Sequence, residues 1–283
     1  MIERFKTFLE RAKHMLNAPA NGGEAGLGVA WAFLEHGRRL TIGSARELLG
    51  KLEDQLRPLR HVLQDSRMDM FRVAGLTWAE DVYTELIAWA FDPQVHGETI
   101  ATAVQRAWLE SLSIDRASQI SGAAIPETQL WLDGEIPDLV LQYDQFAVVV
   151  EAKTGTGEHR TRSGKYQTES YPDVVRHHLG CGDNPIHVVF LTIDRTPPVN
   201  GKAIPTTYLS FALVLADVVR QVDLPNDVTV AYRMLATHFA NCATPEGVNV
   251  PELLDDLHGG CKDDATLIRH LSTIQRTSAL LKD

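Results

Sequence analysis

Two apolar runs flank a polar pair in the middle of the chain. Leu139, Val140, Leu141 and Tyr143 form the first, Phe146, Val148, Val149 and Val150 the second, with Asp144 and Gln145 between them. Runs rich in β-branched and aromatic residues around a short polar break predict two antiparallel strands and a tight turn. In a symmetric hairpin Tyr143 faces Phe146, Val140 faces Val149 and Asp138 faces Glu151. Side chains alternate with period two, so Asp138, Val140 and Gln142 share a face with Ala147, Val149, Glu151 and Lys153. Ala124 to Leu132 reads as an earlier strand, closed by the Asp133-Gly134 turn signal. Ile186 to Ile193 (IHVVFLTI) reads as a buried strand and Pro205 to Leu209 as a short fifth one.

Apolar spacings of three and four predict helices around these strands. Ile2, Phe5, Phe8 and Leu9, then Leu48, Leu49, Leu52 and Leu56, mark residues 1 to about 70 as helical, broken by a loop over residues 17–28. Arg57-Pro58 interrupts or ends the later helix. Thr77-Trp78-Ala79-Glu80 is a capping box. It opens a helix to Phe91 with Val82, Leu86, Trp89 and Ala90 as its apolar stripe. Asp92-Pro93 ends that helix, and His96-Gly97 follows in a loop. Gly97 to Asp115 forms the next helix. Tyr166 to Leu179 forms another, kinked near Pro172, and Ser210 caps one reaching about Val222. The tail from Val228 is helical, with an acidic, exposed stretch over residues 251–264. Strands that alternate with helices imply crossover units. The fold class is α/β: a mixed central sheet flanked by helices, with helical N- and C-terminal additions.

Composition narrows the function. Hydrophobic residues make up 44% of the 283, as in a soluble domain, and the net charge is −10. Such an acidic chain does not coat itself with nucleic acid, so any nucleic-acid site must be a local patch. The opening MIERFK is charged, with no signal peptide after it, and the longest apolar run, residues 25–34, is too short to span a bilayer. No membrane role is expected. Cys181, Cys242 and Cys261 show no ligand spacing and read as free thiols in a reducing, cytoplasmic setting.

The candidate chemistry lies on the hairpin. Directly opposed side chains sit roughly 4.5–5.5 Å apart at Cβ, where like charges repel. Asp138 opposite Glu151 therefore calls for a cation, and a hard divalent ion with oxygen ligands suits it. Lys153 projects from the same face. Glu80 is either a capping residue or a third acid facing inward. Glu85 is its rival, and the two cannot share a helix face. Glu80 is favoured because it lies with Tyr83, Thr84 and Ile87, whereas Glu85 lies on the solvent face. The glycine-rich stretch TGTGEHRTRSGK, residues 154–165, is either a solvated loop or a flexible phosphate contact through His159, Arg160, Arg162 and Lys165.

Pro137-Asp138, then twelve residues, then Glu151-Ala152-Lys153 resembles the signature of the PD-(D/E)XK nuclease superfamily. The Glu80-Asp81 pair, Leu86-Ile87-Ala88-Trp89, Asp92-Pro93 with His96-Gly97, and Gln167 one turn before Tyr171 resemble one branch of it. Two residues separate D-P from H-G here, against three in that pattern, and His96 is read as a loop residue. The resemblance implies a restriction-endonuclease-like core over residues 76–222, after a helical region 1–75 and before a helical extension 223–283. It implies that Asp138, Glu151 and the Ala152 backbone carbonyl hold Mg2+ or Mn2+. Glu80 would join them directly or through water. Lys153 would orient or help deprotonate the attacking water, and Gln167 would line the site. The implied activity is metal-dependent cleavage of nucleic acid, DNA rather than RNA, in restriction or phage defence. A catalytically silent binding or regulatory module and a structure-specific RNase are the alternatives. The N-terminal helical region is a candidate surface for a homodimer or a partner protein.

Overall fold

The hairpin predicted from the two apolar runs lies at the centre of a five-stranded sheet. A computed structural model describes residues 42–59, 80–155, 157–161, 164–180, 182–242, 274, 275 and 278. The expectations for residues 1–41, the Thr77 cap, Arg162, Cys181, Cys261 and residues 251–264 lie outside the described residues. The chain divides into two units, residues 1–54 with 256–278 and residues 55–255 with 279–283. Residues 42–59 are helical straight through Pro58, and Leu49, Leu52, Leu56 and Leu59 are buried.

The second unit carries the sheet, in the order β1 (Pro126–Thr128), β2 (Leu139–Gln142), β3 (Ala147–Lys153), β4 (Ile186–Thr192), β5 (Ile204–Thr207). β1–β2 and β2–β3 are antiparallel, β3–β4 and β4–β5 parallel, so the sheet is mixed. Val140 pairs with Val149 and Leu139 with Val150. Tyr143 N–H donates to the Phe146 carbonyl at 2.9 Å and closes a two-residue turn at Asp144-Gln145. Arg116 donates to the Gln145 carbonyl and Asn184 to that of Asp144, so the turn's acceptors are met from outside it. β3 is buried over its whole length. Its unbroken VVV run is what a strand covered on both faces requires.

Helices cover both faces. α1 (Glu80–Phe91), the one-turn α2 (Pro93–His96), α3 (Glu98–Ser111), α5 (Tyr208–Gln221) and α6 (Asn226–Cys242) share an aromatic core. Within it Phe91 meets Trp108 at 5.1 Å and Phe211 at 5.6 Å between ring centroids, and Phe211 meets Phe239 at 5.4 Å. α4 (Gln167–Leu179) covers the other face, where Tyr171 and Val175 pack with Val140, Ala147 and Val149.

Several local expectations change. The buried side of α1 is Tyr83, Thr84, Ile87, Ala88, Ala90 and Phe91; of the expected stripe Ala90 is buried, while Val82, Leu86 and Trp89 are only half-buried. Tyr83 stacks on His238 and packs at a tilt against Tyr208, so rings from α5 and α6 decide which face turns inward. His96 is not a loop residue. It ends α2, packs edge-on against Trp89 and Tyr232, and its ring Nε2 lies 2.9 Å from the Trp89 carbonyl. The first strand is only three residues long, because Gln129 takes a left-handed φ of 50°. Thr207, not Ser210, caps α5, its Oγ1 accepting from Ser210 N–H. No helix precedes β5 on its way from β4; residues 193–203 make that crossover as irregular chain.

Gln105 braces this architecture. Its Nε2 donates to the carbonyls of Phe91 and Ala124, and its Oε1 accepts from Ala124 N–H and the Tyr143 hydroxyl. Fully buried, it uses all four of its hydrogen-bonding positions. Gln105→Leu strands those partners in an apolar site. We expect a loss of about 2–4 kcal/mol in unfolding free energy by urea denaturation. A loss below about 1 kcal/mol would show that the brace is dispensable.

Candidate active site

The two ends of the sheet differ in chemistry. Around the Asp144-Gln145 turn lie two neighbouring clefts, of about 230 and 550 Å³, lined mainly by backbone and neutral side chains. The charged groups gather instead where β3 ends.

Glu151 is the deepest of them, with no exposed side-chain surface. Its Oε1 lies 2.5 Å from Lys153 Nζ, and its Oε2 accepts from the Tyr171 hydroxyl at 2.5 Å. Burial, then the charge of Asp138, push the Glu151 carboxyl up to about 8, and Lys153 and Tyr171 only partly offset this. Burial pulls Lys153 down, but Glu151, Asp138 and Glu80 outweigh it and hold the ammonium above its ordinary value. Lys153 is therefore a cation at neutral pH.

Asp138 lies just before β2. Its Oδ2 accepts from Ala152 N–H at 2.8 Å, which ties it across to β3 beside Glu151. Its Oδ1 accepts from Gln129 Nε2 at 3.2 Å, and Gln129 N–H donates to the Asp138 carbonyl. The left-handed kink that shortens β1 thus places the Gln129 amide on the acid. Burial raises the Asp138 carboxyl above its usual range, against the pull of the Ala152 amide and Lys153.

Glu80, the first described residue of α1, brings its Oε1 to 3.6 Å from Lys153 Nζ, with 29% of its side chain exposed. Glu85 is exposed and accepts a hydrogen bond from Thr128 Oγ1 at 2.6 Å, on the edge strand. One acid of α1 thus reaches the cluster and the other does not.

Gln167 touches none of the acids. It accepts from His159 N–H through Oε1 and donates through Nε2 to the Tyr171 hydroxyl, which donates to Glu151. Gln167 thus acts on Glu151 through Tyr171. Tyr171 is a site residue that the sequence reading passed over, although its one-turn spacing from Gln167 is visible there.

The basic stretch has its ends tied down. Glu158 Oε1 accepts from Thr168 N–H and Oγ1 in the first turn of α4, and its Oε2 accepts from Val199 N–H. Arg160 stacks over the Tyr166 ring at 4.3 Å and donates to the Gly164 carbonyl. Lys165 pairs with Asp173 at 3.2 Å on the surface, and His159 follows Glu158. Neither Arg160 nor Lys165 contacts the acids.

Three carboxyl groups surround one ammonium. Among the described residues no three His, Cys, Asp or Glu side chains converge on a common point; the acids are instead arranged about Lys153. Glu80 Oε1 and Glu151 Oε1 are buried oxygens whose partner is the Lys153 ammonium. Hard carboxylate oxygens of this kind suit magnesium or manganese. No protein-family model, curated protein or solved structure matches this chain.

The raised Glu151 carboxyl has a thermodynamic signature. In the folded chain it holds its proton up to about pH 8, whereas its ordinary value is 4.5. Between those values the folded state binds more protons than the unfolded one, so this residue's contribution to stability falls as pH rises. Glu151→Gln has no proton to lose. In EDTA, we expect the unfolding free energy of Glu151→Gln to gain on wild type steadily from about pH 5 to pH 8, measured by urea denaturation at each pH. A gap that does not change with pH would show an ordinary carboxylate.

Proposed function

We propose that this chain is a metal-dependent phosphodiesterase that cleaves nucleic acid, built on a restriction-endonuclease-like core of the PD-(D/E)XK type. One observation carries the reading: Glu80, Asp138, Glu151 and Lys153, brought from a helix, a pre-strand residue and the end of β3, meet at one sheet end. The PD…ExK resemblance points to the same residues by a separate route. DNA rather than RNA is the proposed substrate, with a role in restriction or phage defence, and both rest on the resemblance.

Asp138, Glu151 and the Ala152 carbonyl would hold Mg2+ or Mn2+, with Glu80 beside them. A bound ion of this kind polarises a phosphate and lowers the pKa of its bound water. Lys153, held protonated, offsets the negative charge that develops on the phosphate and orients the attacking water. Tyr171, itself held by Gln167, fixes the Glu151 carboxyl group through Oε2, while Oε1 pairs with Lys153. Asp138 is held from two sides by Ala152 and Gln129, so its position does not depend on the ion. Arg160 and Lys165 supply positive charge after β3 for the nucleic-acid backbone.

A second reading, a catalytically silent binding module, draws on the Lys153 contacts, which pair Glu151 and Glu80 with a cation without any metal. Incubation with plasmid DNA, single-stranded DNA and RNA, in magnesium, manganese or EDTA, separates the two. We expect cleavage with either metal and none in EDTA. Asp138→Ala, Glu151→Ala and Lys153→Ala should each reduce it to background while the fold persists by circular dichroism. Glu80→Gln should lower turnover about 10²-fold with little change in Tm, and Glu85→Gln should be nearly silent. Undiminished activity in Glu151→Ala, or in excess EDTA, would falsify the mechanism.

A further inference from the structure

Buried polar groups are almost always paired, so the exceptions are informative. Among the described residues four buried side-chain oxygens have no hydrogen-bond partner apart from the Lys153 ammonium that ion-pairs the first two: Glu80 Oε1, Glu151 Oε1, Thr192 Oγ1 and Tyr208 Oη. The first two belong to the acid cluster. The other two are hydroxyls that the proposed mechanism does not use.

The sheet register brings them there. Lys153 pairs with Thr192, and Thr192 with Thr207, across the last rung of the parallel strands. Paired residues in such a rung lie about 4.8 Å apart and point to the same face. Tyr208 follows as the first residue of α5. Thr207 is satisfied by capping that helix, while Thr192, 3% exposed, is not. The Tyr208 ring is clamped between Tyr83, at 5.1 Å, and Phe239, at 5.7 Å, with no surface exposed. Burial, then Glu80 and Asp138, push its phenol well above the ordinary range. It is therefore a permanent O–H donor that no described residue receives.

The unmet demand at this sheet end has two signs. Three carboxyl groups share one ammonium and favour a further cation, and buried hydroxyls call for an acceptor. A phosphate group carried on a divalent cation meets both. We propose that Tyr208 and Thr192 are the oxyanion side of the site, donating through Oη and Oγ1 to non-bridging oxygens of the phosphate while Lys153 flanks it. This deepens the phosphodiesterase reading, on which the identity of the substrate rests. Leaving such a hydroxyl unpaired disfavours folding, so its removal should not weaken the chain.

The test uses the full-length chain, Tyr208→Phe, Thr192→Val and the double variant. Each substitution keeps the shape and deletes one hydroxyl. We expect Tm values equal to wild type or higher in buffer alone. Inorganic phosphate should raise the wild-type Tm only when magnesium is present. That shift should be at least halved in each single variant and lost in the double. On DNA, kcat/KM should fall about 10²-fold in Tyr208→Phe, with the manganese affinity unchanged. A wild-type chain without a phosphate shift, or variants that respond as wild type, would overturn the proposal. So would a Tm lowered by several degrees in Tyr208→Phe, because that outcome means the hydroxyl has a structural partner. If wild type cleaves no nucleic acid but the phosphate shift is lost in the variants, the nuclease reading fails and the oxyanion site stands. If wild type cleaves and Tyr208→Phe matches it in kcat and KM, the reverse holds.

Discussion

A carboxylate with no exposed surface sets the terms for its surroundings. Moving an isolated carboxylate out of water is very costly, and proteins meet that cost by pairing it or by neutralising it. Glu151 does both: Lys153 pairs it, Tyr171 hydrogen-bonds it, and its proton is held far more tightly than usual. Each helper needs its own support. Tyr171 is set by Gln167, Gln167 by the His159 amide, and the start of α4 by Glu158. Burying one charge thus accounts for the order of a helix, a loop and a sheet end.

The same burial explains why strand register matters here. A slip of one residue between β2 and β3 would send Glu151 and Lys153 to the opposite face, toward the aromatic core. Three features oppose the slip: the two-residue turn, the Arg116 and Asn184 bonds to its carbonyls, and the Asp138 bond to the Ala152 amide. Two of them sit at the turn and one at the acids, so the hairpin is pinned at both ends.

Much of this was legible in the chain itself. The hairpin register and the shared face of Asp138, Glu151 and Lys153 follow from the period-two pattern alone, because local pairing decides them. The mixed sheet followed from the alternation of strands and helices as well. What long-range packing decides was not legible. The α1 face is chosen by Tyr208, His238 and Phe239, more than a hundred residues away. Gln129 looked like one more strand residue, and nothing local announces its left-handed backbone. Thr192 and Tyr208 carried no signal, since a strand threonine and a helix-start tyrosine are ordinary. Only the register that lines them up with Lys153 gives them meaning.

Glu158 has a mechanical consequence. One carboxylate grips the first turn of α4 with one oxygen and the backbone at Val199 with the other. Val199 belongs to the irregular crossover that leads into β5 and then Tyr208. The segment that leaves Lys153 and the segment that delivers Tyr208 therefore share Glu158 as a rivet, and Asn200 adds a bond from the crossover to the Thr168 carbonyl. A displacement of either one would strain the other through that carboxylate, so the two walls of the sheet end are mechanically coupled.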